Sequence, residues 1–142
     1  MPRRSPRPKG WHSVTPRLVA DDPAVLVRFL RKAFHATGTS NGDGPAVMKI
    51  GDSLVMVSGT GPRPATSSIL YLYVDDADAT YARAVKAGGR SLEPPSDMPY
   101  GDRRAMVEDP GGNVWQIATR MHGSRQTRAL PRAYLGAHRG MT

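Results

Sequence analysis

The chain has 142 residues, 39% of them hydrophobic, a formal net charge of +8 and no cysteine. That length suits one domain with a core of its own, and the missing cysteine excludes disulfides, thiolate metal ligands and a cysteine nucleophile. No stretch approaches the roughly 20 consecutive apolar residues that a membrane-spanning helix needs.

In chain order, residues 1–11 open with "MPRRSPRPKG", where Arg3, Arg4, Arg7 and Lys9 lie among prolines. No apolar core follows them, so they read as a disordered basic arm and not as an export signal. "SVTPRLVA" is then extended, and from "DDPAVLVRFLRKAFHATG" the residues Val25, Leu26, Phe29, Leu30, Ala33 and Phe34 recur at helical spacing. Asp22 reads as the N-cap with Pro23 at the first helical position, which predicts a helix over about residues 23–36. "PAVMKI" and "SLVMVS" are strands around the turn "GD".

The order then recurs. "ILYLYV" is a strand, "DDADATYARAVKAGG" a helix with a glycine stop, "RSLEP" extended, and "RRAMVED" and "NVWQIAT" are strands around "PGG". "LVADDPA" (18–24) and "LYVDDAD" (72–78) superimpose with a shift of 54 residues, and "GDSLVMVS" answers "GGNVWQIA". The chain thus reads as an internal duplication of a βαβββ unit, with modules at 12–60 and 67–120 in one domain. Residues 121–142 end the chain as a second flexible basic tail. All twelve acids lie within residues 11–119 against eleven Lys and Arg, so this body carries a net −1 and the basicity belongs to the ends. Such ends hold phosphate backbones only loosely, and nucleic acid is not the expected partner.

The closing segment "YGDRRAMVEDPGGNVWQIAT" resembles the last hairpin of the glyoxalase, bleomycin-resistance and extradiol-dioxygenase superfamily, the vicinal oxygen chelate proteins, and within it the PhnB-like branch. The Asp-Pro-x-Gly-Asn turn before an aromatic strand is the most specific part, supported by the paired aspartates at two strand ends. The resemblance spans about residues 12–120. It implies an α+β fold in which two βαβββ modules form a cupped mixed sheet with helices on the outer face. It also implies a homodimer, a small-molecule cavity in the cup and, in many members, a divalent metal held from four equivalent strand positions.

Strand parity sorts the residues, because alternate side chains face opposite sides of a sheet. Val14, Leu18, Val55, Val57, Leu70, Leu72, Val74, Trp115 and Ile117 share the parity expected to face the helices. Thr15, Arg17, Leu54, Met56, Ser58, Ile69, Tyr71, Tyr73, Gln116 and Ala118 would then line the cup. The resemblance places the four metal positions at Thr15, Met56, Ile69 and Gln116, none of them His, Asp or Glu. A hard divalent ion prefers carboxylate oxygen or imidazole nitrogen, so no cofactor is expected and a metal is disfavoured.

The expected activity is therefore binding of a small organic ligand. Gln116 both donates and accepts, Tyr71 and Tyr73 offer stacking area with a polar tip, and Arg17 can meet an anion bidentately. Thr15 and Met56 complete the lining, while Tyr100 and Arg103 border the cup from the loop "PYGD". Asp102 and Arg103 can also simply pair with each other. The alternative is a lyase, isomerase or dioxygenase of the same superfamily, with His12 and Glu108 as acid–base candidates. His35, at a helix end, reads as structural. A cysteine-free, leaderless chain of this kind is expected in the cytoplasm.

Overall fold

The computed structural model of the protein describes residues 6–39 and 44–121. The expected disorder of residues 1–5 and 122–142 lies outside these residues; of the amino-terminal arm, residues 8–11 close a turn, with Trp11 N donating to Pro8 O.

The two-module architecture is present. Module one contains β1 (Arg17–Ala20), α1 (Pro23–Phe34), β2 (Thr37–Thr39), β3 (Ala46–Ile50) and β4 (Ser53–Gly59). Module two contains β5 (Ile69–Tyr73), α2 (Ala77–Lys86), β6 (Arg90–Asp97), β7 (Asp102–Glu108) and β8 (Val114–Arg120). The strands divide into two four-stranded mixed sheets with the same order, β1-β4-β3-β2 and β5-β8-β7-β6. In each, the first and last strands run parallel: Arg17 pairs with Met56 in one sheet and Tyr71 with Gln116 in the other. The duplication in the sequence is thus a duplication of strand register.

Local chemistry explains the boundaries. Asp22 accepts a hydrogen bond from Val25 N, and Asp76 accepts one from Ala79 N, so both helices begin at an aspartate cap. Helix α1 stops at His35, whose φ of 56° is left-handed, a conformation that ends a helix. One boundary departs from expectation. β1 starts at Arg17, so His12, Val14 and Thr15 precede it, and Val14 is 80% exposed instead of facing a helix. Pro16 accounts for this, because it has no N–H for a ladder; its carbonyl accepts from Met56 N and leads directly into the strand.

The apolar stripe of α1 buries Leu26, Phe29, Leu30, Ala33 and Phe34, each large side chain stabilising the fold by roughly 1.5–3 kcal/mol. Phe34 meets Phe29 edge-on at 5.7 Å between ring centroids and Trp115 of β8 at 4.8 Å. One core therefore serves both modules, with Leu18, Met48, Val55 and Val57 from the first and Val107, Trp115 and Ile117 from the second. Arg83 of α2 also donates to Ala33 O of α1 at 3.2 Å.

The turn between β7 and β8 carries the sequence signature, and its role is structural. Asp109 is buried; its Oδ1 accepts from Gly111 N and Asn113 N, and its Oδ2 accepts from Trp115 Nε1 at 2.8 Å. Asn113 Oδ1 in turn accepts from Ser68 N, which fixes the start of β5. Gly111 packs closely, since a Cβ there would lie 3.2 Å from Leu26 Cδ2 and 3.3 Å from Ala20 Cβ and would press these side chains back by a few tenths of an ångström.

Candidate functional site

With the apolar faces of both sheets committed to the core, the opposite faces are open. On the second sheet the register sets two rows of side chains across that face, Tyr71–Gln116–Met106–Glu93 and Tyr73–Ala118–Arg104–Ser96. Ile69 is 73% exposed and Tyr73 59%. Polar and aromatic groups dominate here because this parity was never drawn into the core.

A buried carboxylate organises the wall. Asp102, the first residue of β7, is 1% exposed, and its Oδ2 accepts hydrogen bonds from the hydroxyls of both Tyr71 and Tyr73 at 2.7 Å. Its Oδ1 accepts from Arg120 Nη1 at 3.1 Å, and the same nitrogen donates to Tyr100 O. The Tyr71 and Tyr100 hydroxyls are 3.1 Å apart, and the Tyr71 and Tyr73 rings lie 5.3 Å apart and tilted. Arg104 donates to Glu93 at 2.8 Å. The tyrosines reach Asp102 across β8, a span of about two strand spacings, and the residue beneath them there is the small, fully buried Ala118.

These contacts hold the phenols neutral. Partial burial and the hydrogen bonds to Tyr100 and Asp102 push Tyr71 far above the ordinary tyrosine range, and burial with the Asp102 hydrogen bond pushes Tyr73 up to about 12. Three buried guanidinium N–H groups on this wall, Arg104 Nε, Arg120 Nε and Arg120 Nη2, have no acceptor among the described residues. Each calls for a water or a ligand oxygen.

Of the residues singled out from sequence, Tyr71, Tyr73, Tyr100 and Gln116 come together here. Gln116 lies in register between Tyr71 and Met106, and its amide has no hydrogen-bond partner among the described residues, while the Tyr71 hydroxyl is engaged with Asp102. Arg17 and Met56 form the equivalent row on the first sheet, with Arg17 Nη2 3.6 Å from Met56 Sδ. Arg103 does not join the wall. It faces the helix side, where Asp78 and Asp97 bind its guanidinium at 3.0 and 3.1 Å and favour its charged form. It therefore does not pair with Asp102, because neighbours on a strand face opposite ways. Glu108 shares the parity of the wall but is tied to Arg90 Nε at 2.9 Å. His12 is exposed and outside the strands, and Thr15 also lies ahead of β1.

Sequence reasoning missed Asp102, Arg104 and Arg120. Parity could have placed them on this face, since Ala105 and Val107 share the apolar parity with Arg103 and leave Asp102, Arg104 and Met106 on the other, while Arg120 shares the parity of Gln116 and Ala118. The donor set at the four family metal positions, a hydroxyl, a thioether, an alkyl group and a carboxamide, is a poor match for a hard divalent ion. Among the described residues no three of His, Asp or Glu gather where they could share one.

The chain resembles known proteins over this same body. The profile of the Glyoxalase/Bleomycin resistance protein/Dioxygenase superfamily matches residues 12–117. An uncharacterized Mycobacterium bovis protein is 30% identical over 123 residues, covering 74% of this chain and 81% of that protein. The Mycobacterium tuberculosis protein named "Putative glyoxylase CFP32" is 33% identical over 106 residues, which is 70% of this chain and 41% of that one. Among solved structures, TioX from Micromonospora sp. ML1 superimposes with a TM-score of 0.66 at 26% identity, covering 75% of this chain and 97% of TioX. A Nocardioides glyoxalase/bleomycin resistance protein/dioxygenase superimposes at 0.61 and 20% identity, covering 85% and 89%, and shows the shared fold.

Proposed function

The chain belongs to the glyoxalase/bleomycin resistance protein/dioxygenase superfamily, and we propose that within it this protein binds a small organic molecule on the tyrosine wall of the second module without using a metal. The observation that carries this reading is the Asp102 network. It fixes Tyr71 and Tyr73 as neutral hydrogen-bonded rings, a preorganised stacking surface, and leaves the Gln116 amide and the open face to a ligand. Ligand oxygens would be received by the Gln116 amide.

The arrangement favours binding over catalysis. A general base must be able to take a proton at working pH. The phenols are pushed upward, Glu108 is paired with Arg90, and His12 stands outside the sheet. The glyoxylase in the name of one relative therefore does not transfer to this chain, whose metal positions carry Thr15, Met56, Ile69 and Gln116.

The open face with Ile69 and Tyr73 suits cover by a second copy of the chain, so a homodimer is part of this proposal. No helix among the described residues is long and apolar enough to cross a membrane, and we place the protein in the cytoplasm on its lack of cysteine. A thermal-shift screen of planar aromatic compounds tests the reading. Hits that Gln116→Ala and Tyr71→Ala abolish support it, whereas hits indifferent to both variants overturn it.

A further inference from the structure

We infer that the first module carries a second binding site, for an organic anion with an apolar body and a carboxylate or phosphate head. A cavity of about 880 Å³ lies at the end of the first sheet and is flanked by four arginines, Arg17, Arg28, Arg31 and Arg63. No Asp or Glu lines it among the described residues. The described residues that line it therefore carry four formal positive charges and no negative one.

The arginines come from independent elements. Helix α1 presents Arg28 and Arg31 one turn apart on the flank that also shows Pro23, Ala24 and Val27 to the cavity. Arg31 is oriented by donating from Nη2 to Gly38 O at 2.9 Å, which leaves its remaining donors available. Arg63 stands between Pro62 and Pro64 in the link joining the modules. That link is held to β1 by Thr66 N donating to Val19 O at 3.2 Å and is tightened by Gly61 N donating to Arg63 O. Arg28 and Arg63 have no ion pair or hydrogen-bonding partner for their side chains among the described residues. The lining also includes the apolar Val19, Val27, Ala46 and Val57, with Ser58 and Thr60 beside them. A planar guanidinium fork matches carboxylate and phosphate alike, and a cavity of this size takes a drug-sized molecule. The ligand class follows from the combination, since the arginines address a charged head and the apolar side chains a carbon skeleton.

The test is calorimetric titration of the full chain with hexyl phosphate and hexanoate, which carry no ring for the tyrosine wall to stack, and with hexanol as the uncharged control. The inference expects both anions to bind, the alcohol not to bind, and Arg28→Gln with Arg63→Gln to weaken the anions by about tenfold or more. Tyr71→Phe, on the other module, leaves these affinities unchanged, which separates this site from the tyrosine wall. Phosphate-only or carboxylate-only binding that needs both arginines names the preferred head and supports the site. Equal binding of the alcohol, no binding of either anion, or anion binding indifferent to the arginine pair overturns it.

Discussion

The hydroxyl of Tyr71, on the first strand of the second sheet, lies 2.7 Å from Oδ2 of Asp102, two strands away on β7. Tyr73 reaches the same oxygen at the same distance, and Arg120 binds the other. A single buried carboxylate therefore fixes the aromatic face of the module.

Removing that carboxylate leaves Arg120 without its buried counter-charge and frees both rings. Asp102→Ala is expected to destabilise the fold by about 2–4 kcal/mol. Urea unfolding checks this, and a midpoint that falls with unchanged slope places the loss in the native state.

Alkaline pH tests the same network through its protons. In the unfolded chain a tyrosine titrates near 10, whereas folding pushes Tyr73 up to about 12 and Tyr71 higher still. Both folded values are raised, so the stabilisation is fully present below about pH 10 and is lost as pH rises through the folded values. Ultraviolet difference titration should show a lagging fraction of tyrosine ionisation. Tyr71→Phe and Tyr73→Phe should each remove part of that lag.

The wall also depends on what lies beneath it. Ala118 is fully buried and pairs with Tyr73 on one side and Arg104 on the other, so it stands on β8 between the tyrosine strand and the strand that carries Asp102. Ala118→Leu should push the phenols off Asp102 and cost about 1–3 kcal/mol by overpacking. The diagnostic signature is that the lagging tyrosines of this variant titrate near the ordinary value.

Much of this fold is written locally in the chain. The cap Asp22, the alternation in β4, β5 and β8 and the glycine turns are local signals found where the residues predict them, and Asp76 caps the second helix in the same way. The site was legible in part. Tyr71, Tyr73 and Gln116 follow from parity alone, but Asp102 becomes their anchor only through the order β5-β8-β7, a long-range pairing that no local pattern encodes. Arg103 illustrates the converse, because charge and proximity to a loop suggest a ligand while the parity of Ala105 and Val107 sends it to the helix side. Val14 fits the apolar parity but precedes a proline that delays the strand.

The family signature at the β7–β8 turn should behave as architecture. In Asp109→Asn one acceptor oxygen becomes a donor facing the N–H groups of Trp115 and Asn113. The expected loss is about 2–4 kcal/mol of stability, read by thermal or urea unfolding. Ligand affinity of the fraction that remains folded should match that of the unsubstituted protein.

The central claim is that the wall works without a metal, and elemental analysis of protein purified without chelator tests it most directly. Calorimetric titration with nickel, manganese, zinc and iron completes the measurement. The expected result is no stoichiometric metal and no binding tighter than about millimolar, near −4 kcal/mol. A bound equivalent of metal, weakened by Gln116→Ala or His12→Ala, would contradict it and return metal-dependent chemistry to this protein.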